Sequence, residues 1–130
     1  HYCIDNKEIV SSVSDLDTAW ATGQSDINRC SISIELAGTA SQSRLQWKDK
    51  YSTDMLKLAA KLTATLCKKY NIPVKKLPAS QVKLGTGIIG HNDVTVAFRI
   101  KGGHSDPGKN FPWDDFIDMV ESEYSLLGGK

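Results

Sequence analysis

Gly90-His91-Asn92-Asp93-Val94 and, after a short spacer, Gly102-Gly103-His104-Ser105-Asp106-Pro107-Gly108-Lys109-Asn110-Phe111-Pro112-Trp113 form the stretch around which this chain is organised. It holds two of the three histidines in the sequence, and beside them the aspartate of an Asp-Pro-Gly turn. Ile88 and Ile89 make a short apolar run between glycines, the pattern of a buried strand ending at Gly90. His91 is then expected at a strand terminus, where side chains reach into a site. Proline restricts the residue before it to extended backbone, so the Asp106 carboxylate is held within a narrow range of directions. A fixed imidazole and a fixed carboxylate are half of a zinc site, because zinc takes nitrogen and oxygen ligands tetrahedrally and a catalytic site keeps one position for water. A third ligand is still required. The residues alone leave a plainer reading open, since Asp-Pro-Gly is a common turn and a lone histidine is more often hydrogen-bonded structure than ligand.

Working outward, Ser31-Ile32-Ser33-Ile34-Glu35-Leu36 is the cleanest strand pattern. Period-two alternation sets Ile32, Ile34 and Leu36 on one face and Ser31, Ser33 and Glu35 on the other, so one face packs on helices and the other faces the site. By pattern alone Glu35 is a solvated carboxylate. His1 to Asp5 and Ile9 to Val13 read as two more strands joined by an Asn6-Lys7-Glu8 turn. Met55, Leu58, Ala59, Leu62, Leu66 and Tyr70 recur at helical spacing behind a cap at Ser52 or Thr53, with Lys57, Lys61, Lys68 and Lys69 off the stripe. Asn71-Ile72-Pro73 stops that helix. Val74 to Gly87 reads as a long lysine-bearing loop, either a border of a groove or a silent surface loop. Pro112 is placed as the first residue of a last helix, with Asp114 and Asp115 in its first turn. Its stripe of Trp113, Phe116, Ile117, Val120 and Tyr124 is expected to pack on the sheet. These elements predict an α/β (α+β) fold, a mixed central β-sheet flanked by helices.

A chain of 130 residues is one domain. A net charge of +1, with charges mixed along the chain, gives no basic stripe, and no apolar run approaches the ~20 residues of a membrane span. Neither a nucleic-acid nor a membrane partner is expected. Cys3, Cys30 and Cys67 are odd in number and lack CxxC spacing, so they read as reduced thiols rather than a disulfide framework or zinc ribbon. A contact between Cys3 and Cys30 is conceivable if both lie on strands. Gly85-Thr86-Gly87-Ile88-Ile89-Gly90 lacks the spacing and the Lys-Ser/Thr of a nucleotide loop.

Five pieces in order, HYCID, AWATG, SISIELAG, GHNDV and HSDPGKNFPW, resemble the zinc-dependent N-acetylmuramoyl-L-alanine amidase family, which also contains the peptidoglycan recognition proteins. They are most similar to the amidase domains of actinobacteriophage endolysins. The resemblance implies Zn2+ as cofactor, with His91 and Asp106 as ligands. It implies that His104, where relatives often carry Lys, stabilises the transition state, and that Glu35 is the general base. Trp20 and Asn92 are the candidate substrate-binding residues, although packing is the commoner fate of a tryptophan such as Trp20. Ala21 stands where many members carry His. His1 matches a position that is usually structural, where pairing with backbone is expected.

The family's first zinc-ligand histidine lies on a strand upstream of HYCID. Residues 1–130 are therefore read as a single amidase-like catalytic domain lacking its N-terminal portion, with the glycines of 128–130 opening a linker. The implied reaction is hydrolysis of the amide between N-acetylmuramic acid and L-alanine in bacterial peptidoglycan, by a phage endolysin made in the host cytoplasm and acting on the host cell wall. Implied partners are peptidoglycan and the missing N-terminal segment or other domains of the same endolysin. Two alternatives stand beside it: a non-catalytic peptidoglycan-binding module, and an inactive truncated fragment of the amidase.

Overall fold

Asp5 turns the chain back on itself, its carboxylate accepting the backbone N–H groups of Lys7 and Glu8 at 2.7 and 2.8 Å. In the computed structural model, which describes residues 1–128, this turn joins β1 (Tyr2–Ile4) to β2 (Ile9–Ser11) as an antiparallel hairpin with Cys3 opposite Val10. After the short helix α1 (Ser25–Arg29), which the periodicity does not signal, β3 (Ile34–Leu36) pairs in parallel with β1 and sets Glu35 beside Cys3. The sheet order β2-β1-β3 is mixed, as expected. Pairing covers only the last half of the predicted strand. The first half is held by single bonds: Ser31 Oγ donates to Ile27 O at 2.7 Å, Ser33 N–H donates to His1 Nδ1 at 3.0 Å, and Ser33 O accepts the Tyr2 N–H at 3.1 Å. Alternation holds across the sheet, with Ile4, Ile34 and Leu36 in the core and Cys3, Val10 and Glu35 in one exposed row.

Helix α2 (Lys50–Tyr70) lies beneath this sheet. Its cap is Asp49, whose carboxylate accepts the Ser52 N–H at 2.7 Å, rather than Ser52 or Thr53 themselves. A carboxylate at this point also meets the positive end of the helix dipole, an advantage a hydroxyl lacks. The helix ends as predicted, at Asn71 in the left-handed region (φ 55°). Met55, Ala59 and Leu66 are buried, while the four lysines off the stripe are exposed. Leu56, Ala60, Ala64 and Cys67 are buried as well, because α2 touches both the sheet and the last helix and so needs a wider apolar face than one stripe. Each large apolar side chain so buried contributes about 1.5–3 kcal/mol.

The last helix, α4 (Trp113–Leu126), packs on α2 rather than on the sheet, since α2 occupies the sheet's inner face. Pro112 is its cap and not its first residue. Phe116 and Val120 are buried, and Phe111 links them to Trp47 through an edge-to-face contact with centroids 5.0 Å apart. A glycine-containing tail beginning at 128 falls largely outside the described residues.

Two readings change in the middle of the chain. Ile88 and Ile89 are not a regular strand: Ile88 makes one parallel bridge to Lys76, and Gly90 then caps helix α3 (His91–Ala97). The loop from Val74 to Gly87 closes on itself, with Leu77 N–H donating to Ile88 O, Ile88 N–H donating to Lys75 O, and Leu77 buried against Gly85 and Gly87. Beneath α3 a second apolar cluster gathers Ile27, Val82 and Val94.

Cys30 is not on a strand but ends α1, and Cys3, Cys30 and Cys67 are all free thiols. Burial pushes the Cys67 thiol up from its ordinary range.

Candidate active site and metal centre

The Gly90 turn and the Asp-Pro-Gly turn are built against each other. Asp93 accepts the Gly90 N–H at 2.7 Å and so fixes the first turn of α3, whose opening residue is His91. From the same turn Asn92 N–H donates to Asp106 O at 2.9 Å, and His104 N–H donates to Thr95 Oγ1 at 3.0 Å. Residues 104–106 therefore run alongside the helix. A side chain at 90 would place its Cβ 2.7 Å from Pro107 Cδ, so only glycine lets the two turns meet this closely.

The result is a convergence of His91, His104 and Asp106. His91 Nδ1 lies 3.3 Å and His104 Nδ1 3.7 Å from the same Asp106 Oδ1, and the two imidazoles stack with centroids 4.3 Å apart and planes 12° from parallel. One donor atom from each residue falls within 4.8 Å of the others, the one such set among the described residues. His91 is the most enclosed, with 16% of its side chain exposed, against 47% for Asp106 and 68% for His104.

The chemistry of this set fits a cation. Thr22 O lies 3.2 Å from His91 Nε2, and Asp106 Oδ1 faces Nδ1 on the other side of the ring. A neutral imidazole has one N–H, which cannot serve both acceptors. Two acceptors on one ring therefore call for a positive charge, carried either by a doubly protonated imidazole or by a cation between Nδ1 and the carboxylate oxygen. Ligands about 2.0–2.1 Å from a tetrahedral zinc stand roughly 3.3–3.4 Å apart, the separation of His91 Nδ1 and Asp106 Oδ1 here, while His104 Nδ1 lies farther from that oxygen at 3.7 Å.

Other candidates fall elsewhere. Glu35 is exposed on the outer face of the sheet and lines a shallow depression with Cys3, Glu8, Val10 and Gly38; it is not one of the three that converge. Trp20 is 91% exposed, so the packing role favoured by tryptophan's usual burial is not found. It stands two residues from Thr22, whose carbonyl faces His91. Asn92 is exposed beside His91. His1 is buried with both ring nitrogens engaged, Nε2 with Asp17 O at 2.9 Å and Nδ1 with Ser33 N–H, which makes it structural as expected.

Four residues that shape the site were not legible as such: Thr22, Asn28, Lys76 and Asp93. Asp93 had a signal, an acid three residues after the capping glycine, but it appears only once Gly90 is read as a helix start and not a strand end. Asn28 and Thr22 carry no local signal, since their partners are set by the fold.

The chain superposes over 98% of its length on the crystal structure of the Staphylococcus aureus hydrolase AmiA in complex with its ligand, with a TM-score of 0.72 and 20% sequence identity. That likeness establishes a shared fold. The chain spans 59% of the AmiA chain. No curated protein matches the sequence. Residues 1–109 match the sequence profile of the N-acetylmuramoyl-L-alanine amidases, and the chain belongs to that family.

Proposed function

We propose that this chain is a catalytic domain that uses zinc to hydrolyse the amide between N-acetylmuramic acid and L-alanine in bacterial peptidoglycan. We place it in a phage endolysin, made in the host cytoplasm and acting on the host cell wall to lyse the cell; the HSDPGKNFPW segment supports that origin. The observation that carries the reading is the convergence of His91, His104 and Asp106 within 4.8 Å in a member of this family.

His91 through Nδ1 and Asp106 through its carboxylate are the residues that would hold the ion. Bound zinc supplies a Lewis acid that polarises the amide carbonyl and makes water a nucleophile near neutral pH. His104, exposed beside Asp106, donates a hydrogen bond to the oxyanion that develops on the carbonyl, a contribution on the order of 3 kcal/mol in comparable donor deletions. Glu35, which lies outside the three converging residues, is assigned on the family resemblance alone as the general base that takes the proton of the attacking water and returns it to the leaving amine. Trp20 and Asn92, both exposed, contact the substrate.

Zinc content and release of soluble peptides from purified peptidoglycan test this, for the present chain and for one extended upstream. The expected result is about one zinc per active chain, lost in His91→Ala. Glu35→Gln and His104→Ala are each expected to lose on the order of 100-fold or more in rate; Glu35→Gln keeps zinc, and His104→Ala keeps it where a further ligand completes the site. Comparing the two chains separates a metal site completed by His91, His104 and Asp106 from one that takes a further ligand. Absence of zinc and cleavage in both forms overturns the reading in favour of a peptidoglycan-binding module.

A further inference from the structure

We propose that Asn28 is a positioning residue for His91, acting through Thr22; the inference rests on the reading of His91 as a zinc ligand. Asn28 is 6% exposed, an uncommon place for an amide side chain unless its polar atoms are used. Its Oδ1 accepts two bonds from one residue, the Thr22 N–H at 3.0 Å and the Thr22 hydroxyl at 2.7 Å. The Thr22 hydroxyl in turn accepts the Gln24 N–H at 3.2 Å, so the turn from 22 to 24 is tied from both sides. Asn28 thus holds Thr22 by its N–H and hydroxyl on one side, the hydroxyl also lying 3.2 Å from Gln24 O, and the next peptide unit, tied through Gln24, presents the Thr22 carbonyl to His91 Nε2 at 3.2 Å.

A carbonyl only accepts, so it engages an N–H at Nε2, and Nδ1, directed at Asp106 Oδ1, is the nitrogen that would ligate the ion. That is the arrangement a ligating histidine requires, with the remaining N–H held by a backbone carbonyl so that ring orientation and tautomer are both set. Asn28 sits on α1, and Ile27 beside it packs in the same cluster as Val94 of α3, so the two helices hold the Thr22 turn and His91 in fixed register. Without Asn28 the turn keeps its carbonyl but loses the two bonds that aim it.

Isotope-edited NMR of the histidine rings, with and without added zinc, tests this on wild type, Asn28→Leu and Asn28→Asp. In metal-free wild type the His91 Nε2 proton is expected to be protected from exchange with water. Asn28→Leu is expected to lose that protection and to bind zinc about 10–100-fold more weakly. Asn28→Asp keeps the accepting oxygen and is expected to restore both. His1, anchored elsewhere by Asp17 O and Ser33 N–H, reports whether the fold is intact and should not change. If Asn28→Leu does not fold, Thr22→Val replaces it: one of the two bonds is lost and intermediate protection is expected. Wild-type protection in Asn28→Leu or Thr22→Val, or no restoration in Asn28→Asp, overturns the proposal. Failure of wild type to bind zinc, with the exchange pattern as expected, overturns the zinc reading while supporting the placement of His91 by Asn28.

Discussion

Lys76 reaches Asp93 at 2.7 Å, and its ammonium stands 4.7 Å from the centroid of the Trp113 ring. The lysine also donates to Leu77 O at 2.7 Å, while the same Asp93 oxygen accepts the Gly90 N–H. One cation thus joins the closed loop after α2, the first turn of α3 and the start of α4, with its aliphatic stem and charge partly covered. Side-chain exposures of 23% and 16% place the pair between surface and core, where charge-assisted bonds are stronger than in open solvent. Lys76→Met is expected to leave Asp93 without its counter-charge and to lower stability by about 1.5–3 kcal/mol. Urea unfolding measures the loss. Lys50→Met, which removes a pair whose lysine side chain is 89% exposed, should change stability by less than about 1 kcal/mol.

Gly108 has φ +98°, and a Cβ there would lie 2.0 Å from Ala40 O; Gly23 has φ +72° with nothing within 4 Å. Both positions strain an L side chain, but only the first also meets backbone. Gly108→Ala is expected to cost on the order of 2–4 kcal/mol and to displace Asp106, because the turn must move away from Ala40. Gly23→Ala carries the backbone penalty alone, about 1–2 kcal/mol. Thermal unfolding of the two variants side by side separates the terms.

Asp15 links β1 to the end of α2 by accepting the hydroxyls of Tyr2 and Tyr70, with Lys69 nearby. The Tyr2 bond above all, then Tyr70 and Lys69, holds the carboxyl below its ordinary value. A folded-state value below the unfolded one, about 3.9, means that the ionised form is the one folding favours. Its contribution is present above the unfolded value and is lost as pH falls through the folded one. Asp15→Asn should therefore be less stable than wild type at pH 7, and the two should converge in acid once the pH has fallen below the lowered folded-state value. Unfolding midpoints across pH give the comparison.

Trp20 is 91% exposed, so Trp20→Ala is expected to change stability by less than about 0.5 kcal/mol. If it contacts substrate as proposed, cleavage should show a raised KM with kcat nearly unchanged, the mark of binding that ground and transition states share. An unaltered KM would remove Trp20 from the substrate groove.

Much of this protein was legible in its sequence because the patterns involved are local. Alternation placed Ile34 and Leu36 inward and Glu35 outward, helical spacing found the buried face of α2, and Asn71-Ile72-Pro73 found its end. Motif order pointed to the family and to His91, His104 and Asp106 as one set, which the fold brings together. What the tertiary structure decided is the part that depends on partners distant in sequence. The apolar run before Gly90 fits a strand or a buried turn equally well, and only its bridge to Lys76 and the capping of α3 by Asp93 make it a helix start. The last helix is amphipathic whichever surface it meets, and α2 rather than the sheet is the surface left to it. Periodicity states that a face will be buried; it does not state against what. The same holds for Asn28 and Thr22, whose bearing on His91 arises because separate segments are packed until one carbonyl faces one imidazole nitrogen.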